Sequence, residues 1–233
     1  MAMNLAAVIR TLMYHSLHRS PHLSVAEKLA VHQQLDYTAT LVSLGQSIDI
    51  GWHEGWYNTY RDFPYERMIQ WKSAALFRSA ASIGTFLSGA DMASVKRAEQ
   101  VGQQLGMLFQ MVDDYLDVFG DSVLMRRPLY NDFREGKMTY PILFLLNQLT
   151  KQALNDRANM VLQSMAKREA QEGNWQWLVD LMLEFRVDQV LQAQLIENAK
   201  QLALAVQQVG RNVAVCDDLS AFLNLIMTPV TRK

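Results

Sequence analysis

Leu105-Gly106-Met107-Leu108-Phe109-Gln110-Met111-Val112-Asp113-Asp114-Tyr115-Leu116-Asp117-Val118-Phe119 decides the fold class. Together with Val101 upstream, Leu105, Leu108, Val112, Leu116 and Phe119 make a continuous apolar seam at helical spacing. One long helix is expected from about Ala93 to Phe119. Gly102 and Gly106 sit one turn apart on it, where the absent side chains would let a neighbouring helix approach closely.

The same period runs outward in both directions. Only 11 Gly and 5 Pro punctuate the 233 residues, and no alternating pattern bounded by turn residues suggests a strand. The expectation is an all-α fold in one domain, residues 1–233, without repeats or flexible linkers. A first helix spans Asn4 to Leu17, with Leu5, Val8, Ile9 and Leu12 on one face. Ser24-Val25-Ala26-Glu27 has the form of a capping box, opening a helix toward Asp49. Asp62-Phe63-Pro64 opens the next, which continues through Lys72 and Leu76 to about Gly89. After a loop from Gly120 to Gly136, Pro141 begins a short apolar helix. Three more are expected near 151–169, 175–185 and 187–209, and a last one near 217–227.

Composition narrows the function. Half the residues are hydrophobic and 19% charged, as in a globular protein. A net charge of -1 offers no footprint for nucleic acid. Cys216, the single cysteine, excludes an internal disulfide and fits a reducing compartment. The strongly apolar stretch Pro141 to Leu146 is far too short to span a bilayer, so no transmembrane segment is expected. Residues 1 to 26 contain no acid and carry Arg10 and Arg19, a loose mimic of an organellar transit peptide. The plainer reading is an ordinary first helix, and a cytoplasmic location is expected.

The chemistry centres on the acids of the long helix. Asp113 and Asp117 are one turn apart, with Asp114 beside them and Gln110 one turn before. Carboxylates on one face raise one another's pKa unless a cation intervenes, and oxygen-only ligands suit Mg²⁺ shared with phosphate oxygens. A lone cluster of this kind is most simply an exposed acidic face, but here it interrupts an apolar run where unpaired charge is costly. Lys72, Arg126, Arg127 and Lys137 flank it in sequence, and cations stabilise the charge that develops on a departing diphosphate. The combination reads as a magnesium bridge to a diphosphate. Trp52-His53-Glu54-Gly55-Trp56 lacks a second spaced His and is read as a helix-end loop whose tryptophans pack on the core. Cys216 is read as inert, and Asp217-Asp218 as a helix start.

Four elements then carry a family resemblance. Phe109-Gln110-Met111-Val112-Asp113-Asp114-Tyr115-Leu116-Asp117-Val118-Phe119-Gly120-Asp121 resembles the second aspartate-rich motif of the polyprenyl synthetase family, the trans-isoprenyl diphosphate synthases. Asp132-Phe133-Arg134-Glu135-Gly136-Lys137-Met138-Thr139-Tyr140-Pro141 resembles the segment that comes after it in that family. Gly45-Gln46-Ser47-Ile48-Asp49 is similar to an upstream GQ-x-x-D element. Lys72-Ser73-Ala74-Ala75-Leu76-Phe77 is similar to K-T-A-x-L-F, with serine for the family's threonine. They occur in family order from about Gly45 onward, and the ending Val230 to Lys233 also looks like a family C-terminus.

The resemblance implies an isoprenoid-synthase-type helical bundle and a prenyltransferase that condenses isopentenyl diphosphate with an allylic diphosphate. By the same resemblance, Asp113, Asp114 and Asp117 would hold Mg²⁺ on the allylic diphosphate. Lys72, Arg127 and Lys137 would contact it directly, and Gln110 would line the pocket near the reacting carbons. Met107, Met111 and Met125 would be core, or an adaptable surface for a prenyl tail. No first aspartate-rich motif with its paired arginines occurs, nor the basic element that binds isopentenyl diphosphate, so activity is expected to need a missing segment or partner. The resemblance implies a homodimer, or a heteromer with another synthase subunit. A non-catalytic subunit that binds a prenyl diphosphate, or regulates a full-length synthase, is the alternative; a class I terpene cyclase is a further one.

Overall fold

The computed structural model describes residues 2–166, 175–209 and 213–231, and among these every regular element is helical. The order is α1 (Ala2–Arg19), α2 (Val25–His53), a 3₁₀ turn (Tyr60–Asp62), α3 (Tyr65–Ile69), a π-turn (Gln70–Ala74), α4 (Ala75–Leu87) and α5 (Met92–Phe119). Two single-turn helices come next, α6 (Ser122–Met125) and α7 (Asn131–Arg134), then α8 (Tyr140–Lys151), α9 (Asn155–Ala166), α10 (Gln176–Glu184), α11 (Val187–Val209) and α12 (Val213–Thr231). The expected all-α architecture is the observed one.

Helix α5 is the central post. Its whole expected seam is buried, and α4, α11, α12 and α8 pack around it. The glycines act as the sequence suggests. A Cβ on Gly102 would stand 2.6 Å from the Phe77 carbonyl oxygen, and one on Gly106 would stand 2.5 Å from the Ala74 Cα. The backbone from the π-turn into α4 therefore lies directly on α5. Ser24 and Glu27 form the expected capping box of α2.

Several boundaries differ from expectation for local reasons. Asp62 does not open the second long helix; its side chain closes the 3₁₀ turn by accepting from Thr59, and Pro64 precedes the start of α3 at Tyr65. Asp121 accepts from the backbone of Val123 and Leu124, which turns part of the expected loop into α6. Helix α12 starts at Val213, so Asp217 and Asp218 lie within it, rather than at its start. The side chain of Cys216 and the end of the expected 151–169 helix lie outside the described residues. Trp52 packs against the core as expected, whereas Trp56 is 64% exposed, with its ring beside Gly51. Met107, Met111 and Met125 are partly buried against the core.

The π-turn changes the helix's register. An α-helical face begun by Tyr65, Met68 and Ile69 would next bury Lys72 and Leu76. Across the π-turn that register is not kept: Ala74 and Ala75 are buried instead, and Leu76 is 55% exposed. Such single wide turns concentrate at functional sites. This one carries Lys72 and Ser73.

Helix α1 forms as expected, but its apolar face does not find the core. Leu5, Val8, Ile9 and Leu12 are each more than half exposed. On α2, Leu29 and Tyr37 are exposed as well. No helix among the described residues is long and apolar enough to cross a membrane.

Candidate active site

The three aspartates of α5 occupy three different environments. Asp114 is buried, 4% exposed, and both its oxygens are engaged. Gln110 Nε2, one turn earlier, donates to Oδ1 at 2.9 Å. Tyr65 from α3 donates its hydroxyl to Oδ2 at 2.7 Å, and the Tyr140 backbone N–H at the start of α8 donates to the same oxygen at 3.0 Å. Burial pushes the Asp114 carboxyl up to about 7, against the opposing pull of these three donors. Burial also holds the Tyr65 phenol well above its ordinary range, with the Asp114 charge adding to it.

Asp117 is buried too, and it organises the loop after α5. Its oxygens accept the backbone N–H groups of Asn131 at 3.3 Å and Asp132 at 3.0 Å, the free donors that open α7. Burial, helped by the charge of Asp132, pushes the Asp117 carboxyl up to about 6. Its own carbonyl accepts from Tyr130 at 2.8 Å. Arg126 and Tyr130, bracketing the stretch between, both adopt left-handed conformations at φ 51° and 66°. Each costs about 1–2 kcal/mol for a residue with a Cβ. Between them projects Arg127.

Asp113 faces the other way. Its side chain is 37% exposed, and Arg127 Nη2 donates to Oδ1 at 2.7 Å. Arg127 Nε is buried with no hydrogen-bond partner.

The lysines are held by neighbouring acids. Lys72 Nζ lies 2.6 Å from Asp49 Oδ2, so the GQ-x-x-D element of α2 supplies the counter-charge for the π-turn. Gly45, one turn before Asp49, makes this possible, because a Cβ there would fall 2.3 Å from the Lys72 backbone nitrogen. Beside Lys72, Ser73 Oγ donates to Gln110 Oε1 at 2.6 Å. Lys137 bridges Asp132 at 3.0 Å and Glu135 at 2.6 Å. Burial pulls the Lys137 ammonium down, but these two carboxylates outweigh it and the pKa is raised.

The structure therefore brings the Lys72 turn, Gln110 and Asp114 into one network. Arg127 and Lys137 lie on the loop that Asp117 organises. Sequence reasoning missed Tyr65 and the Tyr140 N–H, and gave Asp49 and Asp132 no partner. Tyr65 precedes Lys72 by seven residues, but at helical spacing with Met68 and Ile69 its aromatic ring carries no signal beyond core.

The arrangement fits a magnesium ion in part. Among the described residues no group of three acid, His or Cys side chains comes together as a metal site. Asp113 alone of the trio presents a carboxylate to the open side, and Mg²⁺ bound with phosphate needs only one or two carboxylates.

The bundle is that of the isoprenyl diphosphate synthases. A crystal structure of geranylgeranyl pyrophosphate synthase superposes with a TM-score of 0.77 at 20% identity, covering 92% of this chain and 64% of that one. Another, from Corynebacterium glutamicum and complexed with isoprenyl diphosphate and magnesium, superposes at 0.76 with 20% identity, covering 91% and 57%. The chain belongs to the polyprenyl synthetase family, whose model matches residues 1–182 and so begins upstream of the Gly45 element. Among sequence relatives, the geranylgeranyl diphosphate synthase of Saccharolobus solfataricus is 31% identical over 132 residues, 57% of this chain. That match spans 38% of the relative's length.

Proposed function

We propose that this chain works as a prenyltransferase of the polyprenyl diphosphate synthase type, condensing isopentenyl diphosphate with an allylic diphosphate. One observation carries the reading. A continuous hydrogen-bonded chain ties the Lys72 turn to the Asp113 helix, while the Asp113 carboxylate is left part exposed with the Arg127 guanidinium beside it.

In this reading Asp113 would hold Mg²⁺ against the allylic diphosphate. A Mg²⁺ ion held there would supply charge neutralisation for a departing diphosphate. The Arg127 guanidinium, held beside Asp113, supplies positive charge to the phosphate there. Lys72 and Lys137, each held in place by its carboxylate partners, supply ammonium donors for the phosphate oxygens. Asp114 and Asp117, expected as ligands, instead orient the helix and the loop that present Asp113 and Arg127. Gln110 shares that work. No residue of this chain is assigned to isopentenyl diphosphate, and the active form is a homodimer or a heteromer with another synthase subunit. We read residues 1–233 as one domain; a single buried cluster running from Tyr60 to Val230 supports this. The lone cysteine supports a cytoplasmic location.

A second reading, a prenyl-diphosphate-binding subunit without turnover, is favoured by the exposed apolar face of α1, which is suited to a partner, and by the single open carboxylate. Mass-spectrometric product analysis separates the two, using purified chain, Mg²⁺, isopentenyl diphosphate and a series of allylic diphosphates. Longer prenyl diphosphates support the transferase. Binding of the allylic diphosphate without product supports the subunit, and cyclic hydrocarbons would identify a terpene cyclase.

A further inference from the structure

Tyr65 belongs to none of the motifs, yet its hydroxyl ends in the middle of the site. We propose that Tyr65 is a positioning residue which, through Asp114, sets the placement of Asp113 relative to Lys72. The proposal rests on the diphosphate-binding reading of those two residues.

The chain is tethered to α5 both before and within the π-turn Gln70–Ala74. Before it, Tyr65 donates to Asp114 at 2.7 Å; within it, Ser73 donates to Gln110 at 2.6 Å, and Gln110 donates onward to Asp114 at 2.9 Å. Both tethers therefore converge on one carboxylate. Relaxing the turn to α-geometry would withdraw one residue between the tethers and rotate the downstream helix by about 100°. Ser73 or Tyr65 would then lose its partner, and Lys72 would leave Asp49. The Tyr65 hydroxyl has one available direction, because the residue is 7% exposed and its ring stacks on Tyr140 at 5.8 Å and 13°. The third donor, the Tyr140 N–H, fixes the start of α8 to the same oxygen. Asp113 is adjacent to Asp114 along α5, so whatever holds Asp114 also aims its neighbour.

A tyrosine serving only as core would need its ring and not its hydroxyl. Tyr65→Phe separates these, and Ser73→Ala cuts the network at its opposite end. The measurement is calorimetric titration of the full chain with inorganic pyrophosphate, and separately with farnesyl diphosphate, over a range of Mg²⁺ concentrations. Thermal melting of each variant runs alongside. We expect Tyr65→Phe and Ser73→Ala each to weaken Mg²⁺-dependent binding about tenfold or more, as removal of groups that orient ligands does. Ser73→Thr, which keeps the hydroxyl, should bind like the parent.

Asp113→Ala is the control for the underlying reading. Binding that survives Asp113→Ala, or a parent chain that does not bind, overturns the diphosphate reading and this proposal with it. Loss of binding in Asp113→Ala, with Tyr65→Phe and Ser73→Ala unchanged in affinity and Mg²⁺ dependence, overturns the positioning role alone. A lowered melting temperature at unchanged affinity counts the same way. If Tyr65→Phe does not fold, the Ser73 pair decides.

Discussion

Gly45 and Lys72 meet backbone to backbone: a methyl on Gly45 would stand 2.3 Å from the Lys72 nitrogen and 2.8 Å from its Cα. The obstruction is main chain, which cannot swing aside as a side-chain tip can. Gly45→Ala should force α2 off the π-turn, at a cost of about 1–3 kcal/mol for overpacking. It should also part Asp49 from Lys72, so diphosphate binding should fall together with the melting temperature. Asp49→Asn tests the charge separately from the packing. It should weaken binding with a smaller stability loss, because the amide still accepts from the ammonium.

Asp113 and Asp114 are adjacent, but their loss should read out differently. Asp113 is part exposed with one partner, and exposed ion pairs contribute about 0–1 kcal/mol. Asp113→Ala should therefore leave the denaturation midpoint nearly unchanged and abolish Mg²⁺-dependent diphosphate binding. Asp114→Ala strands one buried donor, from Tyr65, at about 1–3 kcal/mol, and two part-buried ones, from Gln110 and Tyr140. That variant should unfold far more easily. Urea titration of both shows the contrast.

The buried acids predict a pH dependence with a defined sign. Asp114 titrates at about 7 and Asp117 at about 6 in the folded chain, both above the unfolded carboxyl value of about 3.9. The folded state thus holds protons that the unfolded state has released. Stability from these groups is complete below the unfolded value and is lost as pH rises through about 6 and then about 7. Asp114→Asn removes one titration, with the Gln110 amide turning to offer its oxygen and Ser73 accepting. Urea midpoints in EDTA should fall from pH 4 to 7 more steeply for the parent than for Asp114→Asn.

The uncovered face of α1 predicts association. Leu5 and Ile9 are 61% and 59% exposed and lie one turn apart. Light scattering should find a dimer, and Leu5→Glu with Ile9→Glu should convert it to monomer without changing helical content. A parent chain that is already monomeric contradicts this.

Helix α5 is legible in the sequence because six apolar residues hold one period over five turns and nothing competes with it. Gly102 and Gly106 are legible for the same reason, since a small residue on a buried face has few other uses. The π-turn is not. Gln70, Trp71, Lys72, Ser73 and Ala74 are compatible with ordinary helix, and the change of register shows only when Leu76 proves exposed and Ala74 buried. Nor does the sequence separate the aspartates. Asp113, Asp114 and Asp117 look alike until partners arrive from far along the chain, Tyr65 from 49 residues away and Tyr140 from 26. The loop after α5 offers charges but no order, because its conformation depends on the Asp117 carboxylate and two left-handed residues.

Gln110 stands between a hydroxyl that gives a proton and a carboxylate that, when ionised, can only take one. Its carboxamide is the one side-chain group of that length with an acceptor on one tip and a donor on the other. Glutamate would set two anions face to face, methionine would break the link at both ends, and asparagine would fall a methylene short. The alphabet at position 110 therefore shrinks to one letter, although neither charge nor metal binding is asked of that residue.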